Sequence, residues 1–146
     1  MRKIVLNILI ALISFSFLSL ANSEDKKSND TELKFFTGMF DTALEEGEII
    51  TKVSFPIPEA AAYMKFPNPA SRYALVGVFV AKTGSEVRVA VTGAGEDGVF
   101  RATELEDALS NNFSPDSLSN ITISPDGLLS DIHAQNDYRA SLIVTM

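Results

Sequence analysis

Three stretches carry the hydrophobic rhythm of a β-sheet. In "EIITKVSFPIP" (Glu48 to Pro58), Ile49, Thr51, Val53 and Phe55 alternate with Ile50, Lys52 and Ser54. That pattern predicts a strand, closed by Pro56 and Pro58, which cannot donate to a central ladder. "ALVGVFVAK" (Ala74 to Lys82) is almost wholly apolar, which predicts a central strand buried on both faces. After the turn "TGSE", "VRVAVTG" sets Val87, Val89 and Val91 against Arg88, Ala90 and Thr92, and predicts a strand with one face less buried. The last two strands should therefore form a hairpin. Ala60 to Tyr73, with Pro67 and Pro69, reads as a proline-rich bend leading into the buried strand.

The period then changes. "TELEDALSNNF" (Thr103 to Phe113) spaces Leu105, Ala108, Leu109 and Phe113 along one helical stripe, with Thr103 and Glu106 placed as a capping box. Ser114-Pro115 should open a short second helical segment. "NDYRASLIVTM" (Asn136 to Met146) reads as a terminal helix with Tyr138 and Leu142 on one face. The fold class that follows is α+β: a small, mainly antiparallel sheet of three to four strands packed against two or three helices.

Met1 to Ser23 does not share this rhythm. A basic start (Arg2, Lys3), an apolar run from Ile4 to Leu20 and small residues thereafter have the layout of a secretory signal peptide, or of an N-terminal anchor if uncleaved. Residues 24–34 are a polar linker, and 35–146 form the domain. The expected product is exported or periplasmic, meeting a membrane only if the leader is retained.

Charge and composition narrow the chemistry. Nineteen acidic against 12 basic side chains give a net charge of −7, which repels phosphate polymers and argues against nucleic acid as a partner. With no cysteine, thiolate metal sites and a cysteine nucleophile are excluded. Gly93, Gly95 and Gly98 match G-x-G-x-x-G, yet Glu96 and Asp97 inside that loop would repel a pyrophosphate, and no later strand carries a ribose-binding acid. The glycines are read as a turn between strand and helix. His133, the single histidine, stands near Asp131 without a nucleophile, and Glu45, Glu46 and Glu48 lack calcium-loop spacing. Lys65, Arg72 and Tyr73 flank the proline-rich bend, where a cation and a ring could serve an anionic, planar ligand.

Four ordered blocks, "FFTGMFDTALEEGEIITKVSFP", "YMKFPNPASRYALVGVFVA", "VRVAVTGAGEDGVFRATELEDAL" and "LLSDIHAQNDYRASLI", span roughly 110 residues. They resemble the C-terminal domain of the flavoprotein (medium) subunit of carbon monoxide dehydrogenase and related molybdenum hydroxylases, the xanthine dehydrogenase type. The resemblance implies a domain that helps close an FAD site and docks on partner subunits, an iron–sulfur small subunit and a molybdenum large subunit, within an electron-transferring oxidoreductase. It implies that Lys65 and Tyr73 approach the flavin. No glycine occurs in residues 1–34, so the phosphate loops of the cofactor are expected on an FAD-binding domain acting in trans, and the chain alone should be inactive. Members of that family are usually cytoplasmic. The other reading is an exported, non-catalytic binding or interaction module on the same scaffold.

Overall fold

The computed structural model describes residues 3–5, 35–52 and 55–146. Its centre is a four-stranded antiparallel sheet in the order β5 (Ala60–Pro67), β6 (Ala74–Thr83), β7 (Glu86–Gly95), β8 (Gly98–Arg101). Two helices, α1 (Thr103–Asn111) and α2 (Asn136–Thr145), pack on it, and a 3-10 turn spans Pro115–Leu118. The fold is α+β, as the pattern of periods requires. The hairpin of β6 and β7 turns at Thr83↔Glu86 as expected, and Ser114 caps the 3-10 turn by accepting from Asp116 N.

Two strands lie where no strand was expected. Ala60–Pro67 is a full edge strand, in register from Ala60↔Lys82 to Phe66↔Val76. Its prolines mislead because Pro67 falls at the strand end, past a register shift, and Pro69 lies in the following turn. The glycine triplet is likewise inside the sheet. Gly93 and Gly95 belong to β7, Gly98 opens β8, and Gly95↔Gly98 closes a hairpin with Glu96 and Asp97 at its tip. A strand that turns back on itself offers no helix N-terminus to a phosphate.

The strand expected over Glu48 to Pro58 is shorter and sits elsewhere. β4 (Ile49–Lys52) pairs in parallel with β1 (Lys3–Val5), outside the main sheet, and Phe55 to Pro58 is not strand. Residues 1–2, 6–34 and 53–54 lie outside the described residues, and with them most of the expected leader and the whole of the expected linker at 24–34. Phe36–Gly38 (β2) and Asp41–Thr42 (β3) form a small separate hairpin.

The core lies between the sheet and the helices. Val76 and Val78 of β6 and Val87, Val89 and Val91 of β7 meet Leu105 and Leu109 of α1 and Leu142 and Ile143 of α2. Burial of each such side chain contributes on the order of 1.5–3 kcal/mol. Phe113 lies beyond α1, half exposed, and Lys82 Nζ stands 5.5 Å from its ring centroid.

α1 also closes the sheet laterally. β8 is short, so the first half of β7 has backbone amides without a strand partner on that side. Side chains one helical turn apart take them: Glu106 Oε1 accepts from Val89 N at 2.9 Å, and Ser110 Oγ accepts from Val87 N at 3.1 Å. An i, i+4 pair advances about 6 Å along a helix and two strand residues advance about 6.6 Å, so the two repeats match. The capping box is a correction. Ala102 is the N-cap, no side chain caps it, and Glu106 is buried at the sheet, where it also receives Arg101.

α2 is stapled to the sheet by Arg139, which is 2% exposed. The β6–β7 ladder ends at Gly77↔Thr92, where Gly93 turns to a φ of 75°. Beyond that point the carbonyls of Leu75 and Gly93 accept from Arg139 Nη1 at 2.6 and 3.1 Å, while Nη2 donates to Asp131 Oδ2 at 2.8 Å. One guanidinium thus satisfies the groups released where two strands part. Gly93 must be glycine there, because a Cβ would run into the Ala74 carbonyl oxygen.

Candidate functional site

The end of the β5–β6 hairpin holds the residues singled out for a planar, anionic ligand. Asn68, buried, organises the turn from 68 to 73. Its Oδ1 accepts from Ala70 N at 2.9 Å and Ser71 N at 3.3 Å, its carbonyl accepts from Arg72 N at 2.9 Å, and its amide donates to Tyr73 O at 2.7 Å. The closure drives Arg72 into the left-handed region at a φ of 65°, an uncommon conformation for a residue with a Cβ. Lys65 Nζ then donates to Arg72 O at 3.0 Å. That oxygen belongs to the peptide joining Arg72 to Tyr73, so the structure brings the ammonium of Lys65 to the backbone of Tyr73. The Tyr73 ring is 80% exposed.

The arrangement is a cation held on the carbonyl that precedes an uncovered aromatic residue, on a turn in which Asn68 makes four hydrogen bonds. It can attract an anion and stack on a planar group. Among the described residues no cluster of His, Asp and Glu could hold a metal ion. Asn68 escaped the sequence reading, although an asparagine before proline, "NPAS", is a recognisable signal for a side chain that bonds the backbone two or three residues on.

The remaining candidates resolve into structural roles. Asp131 Oδ1 accepts from the backbone amides of His133 at 2.8 Å and Ala134 at 3.0 Å, and its other oxygen takes Arg139, so the carboxylate orders a turn and a helix. Those two amides hold the Asp131 carboxyl below its ordinary value of 3.8; burial opposes them less strongly, and the charge and hydrogen bond of Arg139 each add a smaller lowering effect. A concavity of about 320 Å3 lies beside this turn, lined by residues 131–135, Asp137 and Tyr138; Lys65 and Tyr73 are not part of it. Tyr138 packs edge-on against Phe66, with ring centroids 6.1 Å apart. Glu45 and Glu48 close a turn on each other's backbone around Gly47.

Comparison with known proteins returns no matching family model, no curated relative and no solved structure. No helix among the described residues is long and apolar enough to cross a membrane.

Proposed function

We infer that the chain is an accessory wall for a flavin, the C-terminal domain of the FAD-containing medium subunit of a carbon monoxide dehydrogenase-like molybdenum hydroxylase. The observation that carries this reading is the hairpin end, where Lys65 is anchored to the carbonyl preceding an exposed Tyr73. These residues suit a flavin ring, the ammonium at its edge and the tyrosine on its face. The glycine loop that could have cradled phosphates is a β-hairpin tipped by two acids. The FAD-binding domain would be supplied in trans, and the iron–sulfur and molybdenum subunits would be the partners in electron transfer. FAD supplies the redox chemistry when bound. Lys65 contributes positive charge at the ring edge, and Tyr73 covers a ring face from water.

The test compares FAD with riboflavin, which lacks the pyrophosphate. Both should quench weakly and alike on titration with the purified chain, and Tyr73→Ala should abolish the quenching while Lys65→Met weakens it. Mixing with a separately produced FAD-binding domain should tighten binding of FAD alone. A chain that alters the fluorescence of neither compound, alone or mixed, overturns the reading. The other reading, an exported interaction module, is favoured by apolar side chains left uncovered, among them Phe40 at 97% and Ile57 at 92% exposure.

A further inference from the structure

Among the described residues, β5 is the outermost strand of the main sheet and pairs only with β6, so alternate amides and carbonyls along its far side have no strand partner there. Six of its eight residues are exposed. Soluble sheets guard such edges with lysine, proline, a bulge or an inward-pointing charge. Here Ala60 to Met64 are five uncharged residues with no proline, in unbroken register with β6, and Tyr63 and Met64 are both half exposed. The charges stand only at the ends: Glu59 immediately before the strand and Lys65 after the uncharged run.

Those ends are equidistant from Ala62. If a second copy pairs antiparallel about a two-fold axis through Ala62, residue numbers across the join mirror one another. Glu59 then faces the second copy's Lys65, Ala60 faces its Met64 and Ala61 faces its Tyr63. Opposite residues in an antiparallel pair share a face. Each large side chain would therefore meet an alanine, and each carboxylate an ammonium, twice by symmetry. A shift of two residues in either direction loses both charge pairs. Both charged groups have capacity left. Glu59 accepts from Gly84 N at 3.0 Å and stands 3.8 Å from Lys82, and Lys65 uses one of three donors on Arg72 O.

We propose that the β5 edge is a homodimer interface, in which two copies of this chain join antiparallel about Ala62 into one continuous eight-stranded sheet. The occupant is a second copy because the edge is complementary to itself in both size and charge. The inference goes beyond the flavin reading and needs neither FAD nor another subunit.

Because the chain has no cysteine, single substitutions report the register directly. On the axis, the Cα atoms of the two copies of residue 62 would be about 4.5–5.5 Å apart, within disulfide range. The two copies of residue 60 would be offset by four residues, about 13 Å. On mild oxidation of the full chain, Ala62→Cys should yield roughly tenfold more disulfide-linked dimer than Ala60→Cys. Equal yields, or none for Ala62→Cys in a chain that remains folded by circular dichroism, overturn the proposal.

Charge reversal supplies an independent arm. Glu59→Lys and Lys65→Glu should each be monomeric by sedimentation at concentrations where the wild type is dimeric, since like charges then meet at both ends. An equimolar mixture of the two variants should regain a dimer of twice the monomer mass containing one copy of each. Failure of the mixture to associate, a wild type that is monomeric throughout the concentration series, or a wild-type dimer unaffected by either reversal each sinks the idea.

Discussion

Arg139 and Asp131 form an ion pair across 2.8 Å in which one partner is buried and the other is not: 2% of the arginine side chain and 41% of the aspartate side chain reach solvent. The arginine lies at the junction of α2, β6 and β7, and its loss would leave two strand carbonyls without donors. Arg139→Leu is expected to cost about 3–5 kcal/mol of folding stability, the range for breaking a buried charged network. Asp131→Asn should cost less, about 1–2 kcal/mol, because water reaches that side of the pair and the amide oxygen can still accept from the turn. Urea denaturation of the three proteins checks the order. Equal losses would show that Arg139 is held by the aspartate alone.

The same pair sets an acid limit. Amide donors from His133 and Ala134, then Arg139, hold the Asp131 carboxyl below 3.8 when the chain is folded. A depressed folded-state value means that the unfolded chain takes up the proton first, so the stabilisation is complete above 3.8 and is lost as pH falls through the lower folded value. The difference in unfolding free energy between wild type and Asp131→Asn should stay level from neutral pH to about pH 5 and shrink below 3.8. A difference that grew on acidification would contradict the hydrogen bonding described for this turn.

Gly93 and Gly84 both have positive φ, 75° and 59°, but only Gly93 is crowded. Gly93→Ala adds a clash with the Ala74 carbonyl to the backbone cost and should lose at least about 2 kcal/mol. Gly84→Ala has nothing within 4 Å of the new Cβ and should lose about 1 kcal/mol, the conformational penalty alone. Thermal or urea midpoints that rank the two in the opposite order would refute the crowding.

The lateral closure of β7 by α1 makes a residue-specific forecast for hydrogen exchange. Ser110→Ala should expose the Val87 amide and leave Val89 protected, whereas Glu106→Ala should expose Val89 and leave Val87 protected by Ser110. The second variant should also lose about 2–3 kcal/mol, because a buried amide and Arg101 both lose their acceptor. Exchange rates at Val87 and Val89 that change together in both variants would mean that the helix protects the edge by covering it and not through these two side chains.

Much of the fold was legible in the sequence because it depends on short-range periodicity. The apolar run at Ala74 to Lys82, the alternation at Val87 to Val91, the α1 stripe from Leu105 to Leu109 though not its expected end at Phe113, the Ser-Pro start of the 3-10 turn and the terminal helix appear where pattern places them. The misses share a cause. β5 was obscured because its exposed alanines carry no alternation and its prolines suggested a bend, while the actual strand depends on pairing with β6. The glycine triplet was expected to be a turn between strand and helix, but it lies in a hairpin whose second strand, β8, is held by Ala90, Val91 and Gly95 and has no strong pattern of its own. At the candidate site, Lys65 and Tyr73 could be named from the sequence. The Asn68 turn that brings the lysine to the peptide before the tyrosine could not.

By itself the sequence determined the class of the fold, the exclusion of cysteine chemistry, and the identity of most core positions, because burial and period are properties of neighbouring residues. Tertiary structure alone decided where the polar side chains were used. Glu106 caps a strand edge instead of its own helix, Asp131 orders a turn instead of activating a histidine, and Arg139 fills the gap between two parting strands. The physical reason is that a buried donor or acceptor must find a partner wherever the folded chain leaves one unpaired, and that location is set by contacts between residues far apart in sequence.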